Sequence, residues 1–107
     1  MDHNHQLLLD TTRRLIRRGA LPNLSKVLVK THPADIAHLF RYLDLKEQRL
    51  LFNLIPDPAT SADVLSELDH DTGAHILEQL DKETITEVLQ EMATDDAADI
   101  VGYMPDE

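Results

Sequence analysis

The chain has 107 residues, of which 42% are hydrophobic and 28% are charged, and its formal net charge at pH 7 is −10. This length fits one domain, and because aromatic residues make up only 4%, Leu, Ile and Val must fill its core. The lack of Cys excludes a disulfide framework and a thiolate metal site. No apolar run reaches about 18 residues, so we expect no direct membrane insertion of this chain. Residues 1–5 are expected to form a disordered N-terminus.

The first predicted helix runs from Gln6 to Gly19 and is basic. It carries the apolar residues Leu8, Leu9, Leu15 and Ile16 together with two arginine pairs, Arg13-Arg14 and Arg17-Arg18. A basic amphipathic helix is typical of a lipid or anionic-partner contact, but it also fits a solvated face that balances an acidic body. We favour the solvated face.

A short apolar pattern then returns every 12 or 13 residues through the rest of the chain. Each unit has an anchor residue preceded by apolar residues three and four positions earlier, which is helical spacing. The six units are Leu39-Phe40-Leu43, Leu51-Phe52-Ile55, Val64-Leu65-Leu68, Ile76-Leu77-Leu80, Val88-Leu89-Met92 and Ile100-Val101-Met104.

Stop and cap residues separate these units, as in Pro56-Asp57-Pro58 and Asp81-Lys82-Glu83. Each unit is therefore predicted to be one helix of about two to three turns. Helices this short are marginal alone, and stacking buries their apolar stripes against one another. A repeat of about 24 residues per helix pair predicts an all-α fold, an αα superhelix or small solenoid.

Charge is divided unevenly along the chain. Residues 1–32 carry six Lys or Arg and two Asp, whereas from Asp57 onward there are fifteen carboxylates and one base, Lys82. The acidic part should repel nucleic acid, so we expect no nucleic-acid partner, and it should attract cations or a basic protein surface.

Motifs that would indicate catalysis are missing from the sequence. It has no zinc-binding helix motif, no glycine-rich phosphate loop and no nucleophile elbow. The pairs His32/His38 and His70/His75 are six and five residues apart, so neither shares one helical face. We interpret these four histidines as surface or helix-end residues, and we expect no enzymatic activity.

The acids of the last predicted helix are the most informative polar group. Thr94 is expected to cap that helix, with Asp95 and Asp96 in its first turn, where the helix dipole favours them. Asp99 lies four residues after Asp95 on the same face, and a like-charge pair there is destabilising. A divalent cation would relieve the repulsion, and Mg²⁺ suits paired carboxylates that leave room for water. The residues alone still favour a solvated acidic face.

The segments His32-Pro33-Ala34-Asp35-Ile36-Ala37 and Asp95-Asp96-Ala97-Ala98-Asp99-Ile100, with the repeated units between them, resemble the cytosolic N-terminal domain of MgtE magnesium channels and transporters. The resemblance covers about residues 6–107. It implies a superhelical domain of this kind ahead of a CBS pair and a transmembrane pore, both absent from this chain. We therefore expect the chain to be an excised or truncated domain.

The resemblance implies a regulatory magnesium sensor on the cytoplasmic side of the cell membrane, in a parent protein that is a homodimer. The family's ion-contacting acids correspond to Asp63, Asp95 and Asp99. Ions held between these acids and the CBS domains favour the closed pore, which is a linkage effect. Weak Mg²⁺ binding is expected for the isolated domain, because the CBS and pore partners supply the other faces of the site.

An alternative interpretation is a helical-repeat module for protein contacts with no metal role, similar to the superhelical domains of the flagellar motor protein FliG. Such a module should expose an apolar groove and tolerate removal of charge at Asp95 or Asp99.

Overall fold

A computed structural model describes residues 3–104, and all regular structure in this range is α-helical. The all-α prediction is therefore confirmed. No helix in the described range is long and apolar enough to cross a membrane. The eight helices are α1 (His3–Arg18), α2 (Leu21–Val29), α3 (Pro33–Phe40), α4 (Leu45–Asn53), α5 (Pro58–Glu67), α6 (His70–Glu78), α7 (Lys82–Glu91) and α8 (Thr94–Val101).

The helices stack in two rows. Helices α1, α3, α5 and α7 contact one another in turn, α4, α6 and α8 do the same, and α2 packs on α1. Contacts between every second helix are the pattern of an αα superhelix, in which each helix buries its apolar stripe against the next. The long dimension is 36 Å, and α1 and α7 occupy opposite ends of their row.

Each of the six sequence units forms one helix, from α3 to α8, and its first two apolar residues lie near the helix end. The anchor residue lies one to three positions after the last helical residue, so it covers the end of the helix instead of extending its face. Leu43, Ile55, Leu68 and Met92 are buried in this position. Val101 is 47% exposed, because α8 is the last described helix of the stack.

Helix α1 begins three residues earlier than expected. His3 and His5, which the sequence assigned to a disordered N-terminus, lie in its first turns. His5 Nε2 is 2.8 Å from Asp35 Oδ1, and its ring stacks on His38 with centroids 4.1 Å apart. These contacts with α3 account for the ordered start of the helix. Met1 and Asp2 lie outside the described residues.

Helix α1 ends at a glycine in the left-handed conformation. Gly19 has φ +68°, its N–H donates to the Ile16 carbonyl, and the Ala20 N–H donates to the Leu15 carbonyl. This hydrogen-bond pair is a Schellman motif, which satisfies carbonyls at the helix end.

Helix α2 follows and was not expected from the repeat. Its buried residues are Leu24 and Leu28, which lie one turn apart.

Several acids of the chain are helix caps. Asp44 accepts from the Glu47 N–H, and the Glu47 side chain accepts from the Asp44 N–H, which forms a capping box. Asp57 and Asp81 cap α5 and α7 by accepting from backbone N–H groups at 2.8 Å. Part of the acidity of the second half of the chain is therefore explained by helix initiation.

Candidate functional site

The position of α8 is set by its one fully buried side chain. Ile100 is 1% exposed and packs where α6 carries Gly73. A Cβ added at Gly73 would lie 3.4 Å from Ile100 Cδ1 and 3.5 Å from Leu65 Cδ2. These are ordinary van der Waals distances, so α8 and α5 pack normally on α6 at Gly73, and Asp95, Asp99 and Val101 of α8 remain exposed.

The structure brings two of the three expected metal-contacting acids onto one face of α8. Asp95 lies in the first turn and Asp99 one turn later, and both are exposed. Asp96 also lies in the first turn and is partly buried. The expected cap is wrong in detail: Ala93 is the N-cap, and Thr94 is the first helical residue and makes no side-chain cap hydrogen bond. The helix begins one residue earlier because Ala93 already has the extended conformation of an N-cap.

Asp63 lies on a different helix. It is exposed on α5, between the buried residues Ala62 and Val64, and α5 belongs to the other row of helices. Among residues 3–104, no group of three or more His, Asp or Glu side chains is arranged to hold a metal ion. Asp63 is therefore not gathered with Asp95 and Asp99 into one ligand set within this chain.

His70, which the sequence indicated to be a surface or helix-end residue, lies beside Asp99 of α8. His70 Nε2, at the start of α6, is 4.0 Å from Asp99 Oδ2. The His70 ring also contacts the Tyr103 ring, with centroids 5.6 Å apart and planes inclined by 52°. Together with Asp69 and Asp71 they line an open recess. His70 and Asp99 are 29 residues apart, so no local spacing in the sequence could have indicated their contact.

Hydrogen bonds lower the pKa of two carboxyl groups, and both groups lie outside α8. The Thr60 side chain, and then its backbone N–H, lower the pKa of Asp57. The Thr84 backbone N–H, and then its side chain, lower the pKa of Asp81. Hydrogen bonds to the ionised form favour that form. Asp57 and Asp81 are therefore occupied as caps, which leaves Asp63, Asp95 and Asp99 as acids that accept no hydrogen bond from the described residues.

The carboxylates of α8 suit a hard cation but supply only part of its ligands. Asp95 and Asp99 offer carboxylate oxygens, which Mg²⁺ prefers, and their exposure leaves room for the water that Mg²⁺ keeps. Two carboxylates do not fill six positions around the ion. The arrangement fits one face of a site whose other ligands come from water or from a neighbouring domain.

Comparison with known proteins places this fold in a family. The family model described as MgtE intracellular N domain matches residues 31–107. No curated protein matches the chain. Among solved structures, the soluble part of a magnesium transporter matches with a TM-score of 0.43 and 16% identity, over 92% of this chain and 48% of that one. This chain thus spans about half the length of that relative. Because the family model covers well over half of the sequence, the chain belongs to the MgtE intracellular N domain family.

Proposed function

We propose that this chain is the regulatory magnesium-sensing domain of an MgtE-type transporter or channel. In this proposal Mg²⁺ binds between its acidic faces and neighbouring CBS domains, and the bound ion favours the closed pore. The parent protein is a homodimer, and the domain lies at the cytoplasmic face of the cell membrane. The family match over residues 31–107 supports the assignment to a transporter.

The observation that carries the sensing role is the pair Asp95 and Asp99. Both carboxylates are exposed, one turn apart, and neither makes a helix cap within the described residues. A like-charge pair at this spacing destabilises a helix, and a bound divalent cation relieves the repulsion. Asp63 would contact ions at a separate position on α5. Both positions would be completed by ligands from the CBS domains or by water.

The regulatory step follows from linkage. An ion that binds the compact arrangement of domains more tightly than the separated arrangement must shift the population toward the compact one. When Mg²⁺ is scarce, repulsion between uncompensated acids favours separation, and the pore is free to open. The role of this chain is to present the acids on a rigid scaffold, with α8 held by Ile100.

The test is thermal unfolding during a Mg²⁺ titration. It compares the wild type with Asp95→Asn/Asp99→Asn, both in this chain and in the longer protein that includes the CBS pair. Glu83→Gln/Glu87→Gln is a matched control, because these exposed acids occupy the same positions of α7 that Asp95 and Asp99 occupy in α8. An ion that binds only the folded state raises the free energy of unfolding, by about 2.7 kcal/mol at 100 times Kd, and the unfolding midpoint therefore rises with its concentration.

We expect Mg²⁺ to stabilise the longer wild-type protein and the longer control variant much more than the longer Asp95/Asp99 variant. The isolated chain should respond weakly in all three forms. Equal responses of all longer proteins would overturn the sensing role and leave the acids as a solvated face.

A protein-contact module is the second candidate function. The observation that favours it is a cleft of about 270 Å³ between α4 and α6. Leu45, which is 64% exposed, lies at one side of the cleft, and Arg49 donates to Gln79 across it. Under this role the Asp95/Asp99 variant keeps its function. The Mg²⁺ titration therefore separates the two candidates.

A further inference from the structure

The solvent side of α1 carries a cluster that the sensing role does not use. We define the arginine face as Leu7, Arg14, Arg17 and Arg18. Arg14 and Arg18 are one turn apart, and Leu7 lies two turns before Arg14, so all four share one side of the helix. All are exposed, and Leu7 is 52% exposed. The opposite side of α1, with Leu9 and Thr12, is buried against the body of the domain.

Asp10 and Glu47 lie near Arg14 and Arg17 at one edge of the arginine face, but neither forms an ion pair with its arginines in the described range. Within residues 3–104, no ion pair shorter than 4.0 Å engages Arg14, Arg17 or Arg18. Arg13, at the edge of the cluster, donates to the Tyr42 carbonyl at 2.6 Å and thereby holds the side of α1 to the end of α3. The dipole at the end of α1 favours Arg17 and Arg18. It does not account for Arg14 or for an exposed leucine beside them.

The position of the face in the molecule separates it from the acids of α7. Helix α1 lies at one end of its row and α7, with its glutamates, at the other end. The molecule is 36 Å long, whereas charges in about 0.1 M salt are screened over about 10 Å. A partner at the arginine face is therefore affected by the charge of that face and not by the net charge of −10 of the whole chain. The family match begins at residue 31, so α1 lies outside the part of the chain that it describes.

We propose that the arginine face binds the anionic headgroups of a phospholipid membrane as a peripheral contact. Guanidinium groups pair with phosphate oxygens through two parallel hydrogen bonds. Clusters of four or more basic residues near a membrane are typical of binding to anionic lipids, and α1 reaches four when Arg13, at the edge of the face, is included. The inference rests on the proposed function in one respect, which is that a membrane lies close to this domain.

The shape of the surface favours a membrane over an acidic peptide. The recess beside α1 is lined by Asp10 and Glu47 as well as by arginines, so any anion that enters it, such as an acidic side chain of a peptide, meets like charge. Arg14, Arg17 and Arg18 are all exposed, and Arg18 lies outside the lining of the recess, so a flat layer of phosphates contacts this side of α1 without entering the recess. Leu7 adds one apolar side chain at the level of the headgroups.

The test is co-sedimentation of this chain with vesicles of phosphatidylcholine, with and without one third phosphatidylserine. EDTA is present, so that the result does not depend on Mg²⁺ binding. The variant is Arg14→Gln/Arg18→Gln. The control is Arg41→Gln/Lys46→Gln, which removes the same charge from exposed positions outside α1. Thermal unfolding confirms that both variants fold.

We expect the wild type to bind the anionic vesicles and not the neutral ones, with binding that weakens as salt increases. The Arg14/Arg18 variant should bind about 30-fold more weakly, because each of the two basic residues near an anionic surface contributes roughly fivefold in affinity. The control should retain binding.

Equal losses in the two variants, or equal binding to both kinds of vesicle, would overturn the proposal. So would salt-sensitive self-association that depends on Arg14 and Arg18 without vesicle binding, since it would assign the face to the acids of a second copy. Vesicle binding in EDTA and the Mg²⁺ response of the longer protein are separate measurements, so failure of one is distinguishable from failure of the other.

Discussion

His70 Nε2 lies 4.0 Å from Asp99 Oδ2 and joins the start of α6 to the exposed face of α8. The two side chains are 42% and 59% exposed, and the distance is at the outer limit of an ion pair. A contact of this kind between solvated groups contributes little to stability. Asp99 therefore keeps its carboxylate open to water and to cations although His70 lies beside it.

The first prediction concerns this contact. His70→Gln should change the free energy of unfolding by less than about 0.5 kcal/mol, because the pair is exposed and screened. Urea unfolding at neutral pH measures the change. A loss of more than about 1 kcal/mol would mean that this contact, or the tilted ring contact of His70 with Tyr103, is a structural anchor of α8.

The second prediction is that Asp99→Asn stabilises the chain. Asp99 lies one turn after Asp95 and near the end of α8, so its charge meets both like-charge repulsion and the negative end of the helix dipole. Removing the charge should raise the free energy of unfolding by about 0.5 kcal/mol in EDTA at low salt.

Asp95→Asn is the matched comparison for this prediction. It relieves the same repulsion but also removes a charge that the first turn favours, so it should be less stabilising than Asp99→Asn. Urea unfolding of both variants gives the difference. If Asp99→Asn instead destabilises the chain by about 1 kcal/mol, the carboxylate has a structural role and the repulsion argument fails.

Much of the fold could be predicted because its signals are local. Apolar residues three and four apart mark one helix face, and this pattern identified α3 to α8. The pairing of Asp95 with Asp99 followed from the same helical period. Helix α2 could not be predicted in this way because it lacks the repeat. The early start of α1 could not be predicted either, because it depends on contacts of His5 with Asp35 and His38 of another helix.

The rest of the candidate site depends on how the superhelix brings distant helices together. His70 approaches Asp99 because α6 and α8 pack through Gly73 and Ile100, and the sequence carries no local mark of that geometry. The separation of Asp63 from the α8 acids has the same origin, since α5 and α8 belong to different rows. Spacing along a chain specifies one helix face, whereas tertiary packing decides which faces meet.

The third prediction concerns the end of α1. Gly19→Ala should lower the free energy of unfolding by about 1 kcal/mol, because a side chain disfavours the left-handed conformation at φ +68°. No atom lies within 4 Å of the added Cβ, so the cost comes from the backbone alone. Gly102→Ala is the control, since Gly102 has φ −60° and should tolerate alanine. Equal effects in the two variants would contradict the assigned conformation of Gly19.

The fourth prediction concerns acid stability and the caps of α5 and α7. Hydrogen bonds from Thr60 and Thr84 hold the pKa values of Asp57 and Asp81 below the ordinary value of 3.8. A carboxyl group with a lowered pKa in the folded state stabilises the fold fully above its unfolded pKa. This stabilisation is lost as the pH falls through the folded pKa, because the unfolded chain then binds the proton more readily.

Asp57→Asn/Asp81→Asn tests this sign, because Asn also caps helices but does not titrate. The unfolding midpoints of the wild type and the variant, measured from neutral pH to about pH 3, should converge or cross as the wild type loses its charged caps. Glu67→Gln/Glu91→Gln is the control, since these exposed side chains accept no hydrogen bond in the described range. Their replacement should leave the fall of the unfolding midpoint with pH nearly unchanged. If the unfolding midpoint of the Asp57/Asp81 variant falls with pH as steeply as that of the wild type, the two caps do not contribute to the loss of stability at low pH.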